Sequence, residues 1–319
     1  MPELPEVETV RAGVAHHLLG ACIESVTVHD ARSVRRHTGG SVDFVRVLEG
    51  TFIVDVARRG KYLWLLLAES AQGDARALPG LVVHLGMSGQ LLIKDSTFAP
   101  DKHLKITLDV LLPDGAAMQL RFVDQRIFGG MFLDELEPTT DVEGTLIPAA
   151  SRSEQQLPVI PRAVAHIARD PLDSHFSYAE VRSRMLRTSS GVKRLLLDQS
   201  VISGVGNIYA DEALWRAKLH YNKPAKTLTA AQTRELLDAV TEVMQAALVA
   251  GGTSFDALYV NVNGQSGYFD RSLNAYGQAG KPCSRCLESG RTSIIVREPF
   301  MNRSSYRCPH CQRTPRQPR

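Results

Sequence analysis

Two Cys-x-x-Cys pairs near the C-terminus constrain the fold of this 319-residue chain more than any other feature: Cys283 with Cys286, and Cys308 with Cys311. Each pair brings two thiols to one turn, so the four together can hold one tetrahedral zinc ion. Such a site keeps no open ligand position, which fits a structural metal and not a catalytic one. Free thiols are the alternative. The fifth cysteine, Cys22, is expected to be a small buried thiol.

Positive charge is concentrated in the same segment. Residues 281–319 contain nine Lys or Arg residues and two acids, whereas the whole chain has a net charge of +3. A basic terminal module is typical of polyanion binding. We interpret the arginines inside the metal-pinned hairpin as nucleic-acid ligands, and Arg313–Arg319 by itself as a solvated tail.

The composition excludes several classes of protein. With 44% hydrophobic residues, the chain is long enough for two globular domains. The N-terminal residues are acidic and show no signal-peptide pattern. The longest apolar run, near Tyr62–Ala68, is far too short to span a membrane. Sparse cysteine, mostly in the two pairs, suits a reducing compartment.

The N-terminus carries a reactive combination of residues. Removal of Met1 would leave a secondary amine at Pro2, beside the carboxylate of Glu3. A secondary amine can attack an electrophilic carbon and form an iminium ion, as lysine does in Schiff bases. Because α-amino groups titrate at roughly 7.7–8.0, part of the population is unprotonated at neutral pH. The sequence therefore predicts a nucleophile at this end.

Periodicity predicts a chain that passes from β to α structure. Pro5–Leu19 reads as a helix, and alternating apolar residues with turns predict a β-sandwich or barrel over about 21–135. The aperiodic segment 137–161 reads as an interdomain linker. Further helices are predicted at Ser177–Arg187, Val192–Ser200, Ile208–Lys218 and Ala230–Ala250.

Four short motifs carry weaker signals. Ser203–Asn207 joins two helical segments through two glycines; it fits either a plain helical hairpin or a phosphate-binding turn, with Asn207 capping the next helix. Arg58–Tyr62, taken alone, is an ordinary basic turn. His84–Gly89 and Asp124–Gly130 each present large side chains at glycine turns. An apolar wedge with an arginine is what a protein needs to fill the gap left by an extruded base.

Together these motifs resemble the formamidopyrimidine-DNA glycosylases, bacterial enzymes that excise oxidised purines. The family opens with Pro-Glu-Leu-Pro-Glu-Val-Glu, as this chain does at Pro2–Glu8, and the likeness runs nearly end to end. The resemblance implies an α+β multidomain fold. It comprises an N-terminal β-sandwich with a flanking helix (1–136), a linker (137–161), a helix–two-turn–helix domain with the lesion-covering loop (162–276), a four-cysteine zinc-finger β-hairpin (277–313) and a basic tail (314–319).

The resemblance also implies an activity: a bifunctional DNA glycosylase and abasic-site lyase for 8-oxoguanine and formamidopyrimidines in duplex DNA, acting by β,δ-elimination in base excision repair. It implies one structural Zn²⁺, damaged double-stranded DNA as partner, a monomer, and a bacterial cytoplasmic location at the nucleoid. In the catalytic set, Pro2 forms the Schiff base, Glu3 assists sugar-ring opening, Lys61 assists β-elimination, and Arg303 contacts DNA and assists δ-elimination. The implied DNA contacts are Met87, His103, Arg126, Phe128, Lys193 and Asn207, with Arg187 standing in for a family lysine upstream of Lys193. The zinc ligands are the four paired cysteines.

Some parts of the chain depart from the family pattern. The finger interval is longer, mostly through Leu287–Ile294, and the 71–80 loop and the linker are enlarged. The stretch 254–267 corresponds to the base-covering loop. Two alternatives remain: an endonuclease VIII-type enzyme for oxidised pyrimidines, against which Leu4 argues, and a catalytically silent zinc-dependent DNA-binding protein.

Overall fold

The computed structural model describes residues 2–141, 143–252, 261–265 and 272–315. The chain divides into two compact units. Unit 1 comprises Met1–His166 and Ala250–Tyr268, and unit 2 comprises Ile167–Val249 and Phe269–Arg319. No helix in the described ranges has the length and hydropathy needed to cross a membrane.

Unit 1 is built on antiparallel strands with two helices. Its elements are α1 (Leu4–Leu18), β1 (Cys22–Val28), α2 (Gly40–Leu48), β2 (Phe52–Arg59), β3 (Tyr62–Ala68), β4 (Gly80–His84), β5 (Gly89–Asp95), β6 (Leu104–Leu111), β7 (Ala117–Asp124), β8 (Gly130–Asp134), β9 (Leu136–Pro138) and β10 (Val159–Pro161).

The first eight strands form one sheet in the order β5-β7-β6-β1-β2-β3-β4-β8. Only the pair Cys22–Phe52 joins β1 to β2, so the sheet consists of two four-stranded halves. Inward side chains of both halves, with Val7, Val10 and Val14 of α1, belong to one apolar core. This arrangement matches the predicted N-terminal β-rich domain, because alternating apolar positions need a second layer to cover them.

The segment predicted to be a linker, 137–161, belongs to unit 1. Strand β9 pairs with β10, and Asp55, which is fully buried on β2, accepts hydrogen bonds from Ser153 Oγ and from the backbone N–H groups of Glu154 and Gln155. A buried carboxylate needs such donors, and this polar stretch supplies them. The division between the units falls at His166/Ile167, whereas the sequence predicted the linker to end at residue 161.

Unit 2 is mainly helical and ends in a hairpin. Its elements are α3 (Tyr178–Leu186), α4 (Val192–Leu196), α5 (Asn207–Arg216), α6 (Ala230–Val249), α7 (Ser284–Glu288), β11 (Val296–Phe300) and β12 (Arg303–Arg307). Each predicted helix is present with ends shifted by a few residues, and α4 is the most shortened. The α+β fold class is confirmed, with a sheet domain, a helical region and a C-terminal hairpin that carries four neighbouring cysteines.

The base-covering stretch is largely outside the described residues, which include only 261–265 of it. Val262 is buried in the core of unit 1, and its carbonyl accepts the N–H of Ile93 on edge strand β5. Its side chain lies so close to Gly13 of α1 that a Cβ there would come within 2.6 Å of it. This short piece is therefore anchored to both α1 and the sheet.

Candidate functional site

Pro2 and Glu3 lie at the start of α1, and both are buried. Glu3 is the N-cap residue, and its backbone N–H donates to Glu6 Oε2 at 2.9 Å. Acidic side chains in a first turn are stabilised by the positive end of the helix dipole. The first turn is thus fixed by its own side chains, and the helix sets the position of Pro2.

An ion-pair network connects α1 with the turn that follows β2. Glu8 accepts from Arg11 Nε at 3.0 Å and from Arg58 Nε at 2.7 Å. Arg58 is fully buried, and its Nη1 donates to the carbonyl of Gly60 at 3.0 Å. Lys61, half-buried, is the next residue. Because the network bonds α1 to the turn that carries Lys61, the start of the helix and this turn are held at a fixed distance and orientation.

The two arginines before Lys61 are therefore not an exposed basic turn. Arg58 is 0% and Arg59 7% exposed, and Arg59 donates to the backbone carbonyl of Ala149. Burial of a guanidinium is costly unless its charge is paired or hydrogen-bonded, and here Arg58 Nε, Arg58 Nη1 and Arg59 Nη2 donate to carboxylate and carbonyl oxygens. These residues position the turn rather than provide free charge.

His84, at the end of β4, lies beside the same turn. Its ring packs on Tyr62 with centroids 4.7 Å apart, and its Nδ1 accepts the N–H of Gly86 at 3.2 Å. Burial, together with the positive charges of Arg36 and Lys61, lowers the pKa of His84 to about 4. The imidazole is therefore neutral at physiological pH, while the cations around it favour an anionic group such as a phosphate.

The lowered pKa of His84 predicts a loss of stability in acid. The neutral ring is favoured by the fold, so its contribution is complete above the ordinary pKa of 6.5 and is lost as the pH falls toward about 4. The loss amounts to at most on the order of 3 kcal/mol. Urea unfolding of parent and His84→Asn proteins at pH 7 and pH 4.5 measures it. The decrease in the free energy of unfolding between pH 7 and pH 4.5 should be smaller in His84→Asn than in the parent. The exposed control His17→Asn should show the same decrease as the parent. An equal decrease in all three proteins would refute the prediction.

Met87 and Phe128 are at the tips of two neighbouring turns of unit 1, and both are exposed, by 40% and 54%. The turns touch through glycines, since a Cβ on Gly86 would come within 2.4 Å of the backbone of Gly129. Arg126, also exposed, is on the second turn. The three residues predicted to form a wedge therefore share one surface.

A single carboxylate fixes both of these turns. Asp124 is fully buried and accepts from Ser88 Oγ at 2.5 Å, from Arg126 N–H at 3.1 Å and from Gly129 N–H at 2.9 Å. Its own N–H donates to the carbonyl of His103 at 3.0 Å, so the half-buried His103 lies next to the same platform. The exposed wedge residues thus rest on a rigid base.

Ile127 within this platform has a strained backbone. Its φ is 56°, in the left-handed region that a β-branched residue rarely adopts. Arg35 donates to the carbonyls of Ile127 at 3.1 Å and Phe128 at 3.3 Å, and so holds the conformation. Strain maintained by surrounding contacts is characteristic of functional surfaces.

In unit 2, the turn Ser203–Gly206 leads into α5 and is braced by Gln199, whose Oε1 accepts the N–H of Gly204 at 2.9 Å. The capping predicted for Asn207 is not observed, because the helix begins at Asn207 itself with Gly206 as N-cap. The Asn207 amide instead donates to the carbonyl of Ser304 at 2.9 Å. It therefore joins α5 to the hairpin.

Arg187 and Lys193 have very different surroundings. Arg187 is the C-cap residue that follows α3, and it is exposed. Lys193 is fully buried, and its Nζ donates to Asp211 Oδ1 at 2.7 Å and to the Ser304 carbonyl at 3.2 Å. Nothing in the motif signalled this burial, because a lysine beside a glycine-rich turn is usually solvated. Its predicted phosphate contact stays a prediction.

Arg303 opens β12 at the hairpin tip and is exposed. The turn before it consists of Met301 and Asn302, with φ of 44° and 48°. Two successive residues of positive φ between the paired Phe300 and Arg303 make a tight two-residue hairpin turn. The turn therefore presents Arg303 at a sharply defined corner.

The four cysteines Cys283, Cys286, Cys308 and Cys311 lie together, with all sulfurs within 4.8 Å of one another. The separation of Cys286 Sγ from Cys308 Sγ is 3.7 Å and from Cys311 Sγ 3.6 Å. A tetrahedral ion at about 2.3 Å from each sulfur spaces its ligands by about 3.8 Å, so the cluster fits zinc. Burial, with hydrogen bonds from the Cys286 thiol to the neighbouring sulfurs, raises the pKa of Cys286, and a bound cation would favour its thiolate.

The longer finger interval forms its own short structure. After Cys286, α7 ends at Glu288, and the chain turns back so that Ser293 O accepts the N–H of Cys283 at 2.8 Å. Pro282 and Ile294 form an isolated bridge. The extra residues therefore extend the base of the finger and leave the four sulfurs together.

Two residues of helix α5, Glu212 and Trp215, contact the finger segment. Trp215 Nε1 donates to Cys283 Sγ at 3.4 Å, and the guanidinium of Arg285 lies 4.0 Å from the Trp215 ring centre. Glu212, also buried, accepts backbone N–H groups of Asn274, Ala275 and Tyr276 at 2.8–3.2 Å. One helix thus contacts both the start of the finger segment and a cysteine of the four-cysteine cluster.

Several residues whose side chains connect elements within each unit were not identified from the sequence: Glu8, Arg11, Arg58, His84, Asp124 and Asp211. Each acts through a partner distant in sequence, for example Glu8 with Arg58. The available signal is a charged residue at a position whose periodicity predicts burial, since buried charges are rare unless they are paired.

Comparison with known proteins gives a consistent result. The family model for the formamidopyrimidine-DNA glycosylase N-terminal domain matches residues 1–131, and that for the H2TH domain of the same family matches residues 167–257. A formamidopyrimidine-DNA glycosylase from Rhodococcus erythropolis is 52% identical over 316 residues, covering 99% of this chain and 98% of the relative. One from Acidothermus cellulolyticus is 52% identical over 318 residues, covering 100% and 99%.

Solved structures agree with the sequence matches. A complex between the Lactococcus lactis Fpg and abasic-site DNA has a TM-score of 0.77 at 28% identity, covering 98% of this chain and 100% of that one. A structure of MutM with DNA that contains carbocyclic 8-oxo-G has a TM-score of 0.77 at 27% identity, with the same coverage.

Proposed function

This chain belongs to the formamidopyrimidine-DNA glycosylase family, a family of DNA repair glycosylases, and we propose that it is a bifunctional glycosylase and abasic-site lyase for 8-oxoguanine and formamidopyrimidines in duplex DNA. The observation that carries the proposal is the buried start of α1, where Pro2 and Glu3 are tied through Glu8 and Arg58 to the turn that bears Lys61.

The chemistry follows from the residue types. The free amine of Pro2 attacks C1′ of the extruded nucleotide while Glu3 protonates the sugar-ring oxygen, so the ring opens and the base leaves. The resulting iminium acidifies the C2′ hydrogens. Lys61 assists removal of one of them, and the 3′ phosphate is expelled.

A second elimination, with Arg303 stabilising the departing anion, expels the 5′ phosphate and leaves a one-nucleotide gap. Hydrolysis of the sugar fragment then frees the Pro2 amine. No redox cofactor is required, because each step is a proton transfer, an addition or an elimination.

The DNA contacts fit a base-flipping enzyme. Met87, Arg126 and Phe128 on their rigid platform would fill the gap left by the extruded base, with His103 beside them. Arg187, Asn207 and Arg303 would bind phosphates. For Lys193 we propose that any phosphate contact requires its buried ammonium to become accessible.

The metal proposed for the four cysteines is one structural Zn²⁺. The ion would be bound by Cys283, Cys286, Cys308 and Cys311, and this binding would order the hairpin. Because sulfur would occupy all four ligand positions, the ion would perform no chemistry on the substrate. We further propose that the protein is a monomer that acts on DNA in the bacterial cytoplasm, at the nucleoid.

One assay distinguishes this function from its alternatives. Parent and Glu3→Gln proteins are compared in single-turnover excision on duplexes containing 8-oxoguanine, formamidopyrimidine, thymine glycol or no lesion. We expect the parent to excise the two purine lesions, and Glu3→Gln to bind them but lose excision by ~10²-fold or more, since it lacks the acid. If the parent excises thymine glycol faster than the purine lesions, it is an endonuclease VIII-type enzyme. If the parent binds the duplexes without cleaving them, it is a DNA-binding protein only.

A further inference from the structure

Asp211 on α5 takes no part in the chemistry proposed above, yet it is fully buried and heavily hydrogen-bonded. It accepts from Lys193 Nζ at 2.7 Å, from Ser305 Oγ at 2.8 Å and from the backbone N–H of Tyr306 at 3.0 Å. Two of these donors belong to β12, the hairpin strand that begins at Arg303.

A second connection lies beside the first. The carbonyl of Ser304 accepts from Lys193 Nζ at 3.2 Å and from Asn207 Nδ2 at 2.9 Å. Lys193 therefore bridges Asp211 and Ser304, and three consecutive β12 residues, 304–306, are bonded to α4 and α5.

These contacts bear directly on Arg303, the residue that precedes them. Its side chain is exposed, so packing does not hold it in place. On one side its backbone is fixed by the tight Met301–Asn302 turn, and on the other by the Asp211 contacts. A tight turn alone fixes the strands relative to each other, but it does not fix the hairpin relative to the helices.

The arrangement is costly if it serves stability alone. Burial raises the pKa of Asp211, and the ammonium of Lys193 opposes that shift. A buried ion pair commonly contributes no more stability than apolar side chains of the same size. What charged groups add is directionality, because each bond fixes a distance and an angle.

We propose that Asp211 is a positioning residue that sets the place of Arg303 on the DNA by fastening β12 to α5. The proposal deepens the proposed function and rests on it, since it requires Arg303 to contact DNA and to assist the second elimination. Asp211 itself touches neither substrate nor product.

The test is a double-mutant cycle of Asp211→Asn and Arg303→Ala. Asp211→Asn keeps the size and one acceptor oxygen but removes the charge that holds Lys193. Two quantities are measured: the dissociation constant for an abasic-site duplex, and the ratio of δ- to β-elimination product. Each single variant should bind roughly tenfold more weakly, equivalent to one charge-assisted contact, and should accumulate β product. The double variant should lie within about twofold of Arg303→Ala, because two changes that act through one group do not add.

Two controls separate positioning from general damage. Zinc content and near-ultraviolet circular dichroism show whether each variant is folded. Asp238→Asn is the matched variant: Asp238 is another unit 2 carboxylate with one clear donor, Tyr178 Oη at 2.9 Å, and is bonded to no hairpin residue in the described part of the chain. It should bind and cut like the parent.

Further outcomes decide the question. Parent-like Asp211→Asn, or losses that add fully to those of Arg303→Ala, would overturn the inference. If Asp211→Asn loses zinc, Ser305→Ala replaces it as the test variant, because Ser305→Ala removes only one donor to Asp211. Ser305→Ala should increase hydrogen exchange at the Tyr306 amide and shift the product ratio toward the β-elimination product. A parent-like Ser305→Ala protein would overturn the inference. If the parent itself neither binds nor cuts lesion DNA, the proposed function fails instead, which is a distinguishable result.

Discussion

An N-terminal extension that prevents removal of Met1 is expected to abolish covalent trapping of the protein on abasic DNA by borohydride. With the extension in place, the Pro2 nitrogen stays in its peptide bond with Met1, and an amide nitrogen has no basic lone pair to attack C1′. Base excision and strand cleavage should fall with trapping to the level of the protein-free reaction, since the iminium is required for both.

A matched control uses the same extension with a protease site that leaves Pro2 as the first residue. Cleavage should restore trapping, which shows that the extension acts through the amine and not through misfolding. Peptide mapping of the parent adduct should place it on Pro2. An adduct on Lys61 or Lys193, or full trapping by the uncleaved protein, would refute the assignment.

Two structural features of the helix start support the role proposed for Pro2. Pro2 precedes an N-cap residue whose N–H is already bonded to Glu6, and α1 is packed in the core through Val7, Val10 and Val14. A nucleophile on a rigid element loses little entropy on reaching its target. The Glu8–Arg58 network extends the same rigidity to Lys61.

Much of the fold was predictable because its determinants are local. Alternation predicts the strands, since a half-buried strand needs an apolar side chain at every second position. The two Cys-x-x-Cys pairs predict the finger, since two thiols on each turn can share an ion, and the four sulfurs do lie together. Both signals are contained within a few residues.

The hydrogen bonds that join β12 to α4 and α5 were not predictable from the sequence, because the residues they connect are distant in sequence. Lys193 and Asp211 are 18 residues apart, and Asp211 and Ser305 are 94 apart. Local sequence favours a solvated lysine and a helix cap at Asn207. Tertiary packing of the hairpin on α5 reverses both expectations, because Ser304 offers a carbonyl that Lys193 and Asn207 can reach.

The segment 137–161 illustrates the same limit. Its Pro, Ser and Thr content indicates a linker, and nothing within it signals where it docks. The decisive residue is Asp55, almost 100 positions earlier, which is buried and needs donors. Ser153 Oγ and the backbone N–H groups of Glu154 and Gln155, all within the predicted linker, donate to this carboxylate.

Removal of zinc is expected to unfold the finger while unit 1 stays folded. Ion binding at such sites is coupled to folding, with apparent free energies of about 10–16 kcal/mol, so the segment from Pro282 to Gln312 should lose its order with the metal. Unit 1 has its own core and none of the four ligands. Strand content should therefore remain near that of the parent, while binding to lesion duplex weakens by ~100-fold or more as Arg303 and its neighbours are released.

Tryptophan fluorescence and a matched cysteine variant make this test specific. Trp215 contacts Cys283 and Arg285, whereas Trp64 is buried in unit 1, so chelation should change only the emission of Trp215. Cys283→Ser should reproduce the effect of chelation, and Cys22→Ser, which removes the cysteine outside the cluster, should not. Zinc added back to the chelated parent should restore binding together with the Trp215 signal. Chelated protein that binds and cuts like the zinc-loaded form would show that the finger takes no part in DNA binding.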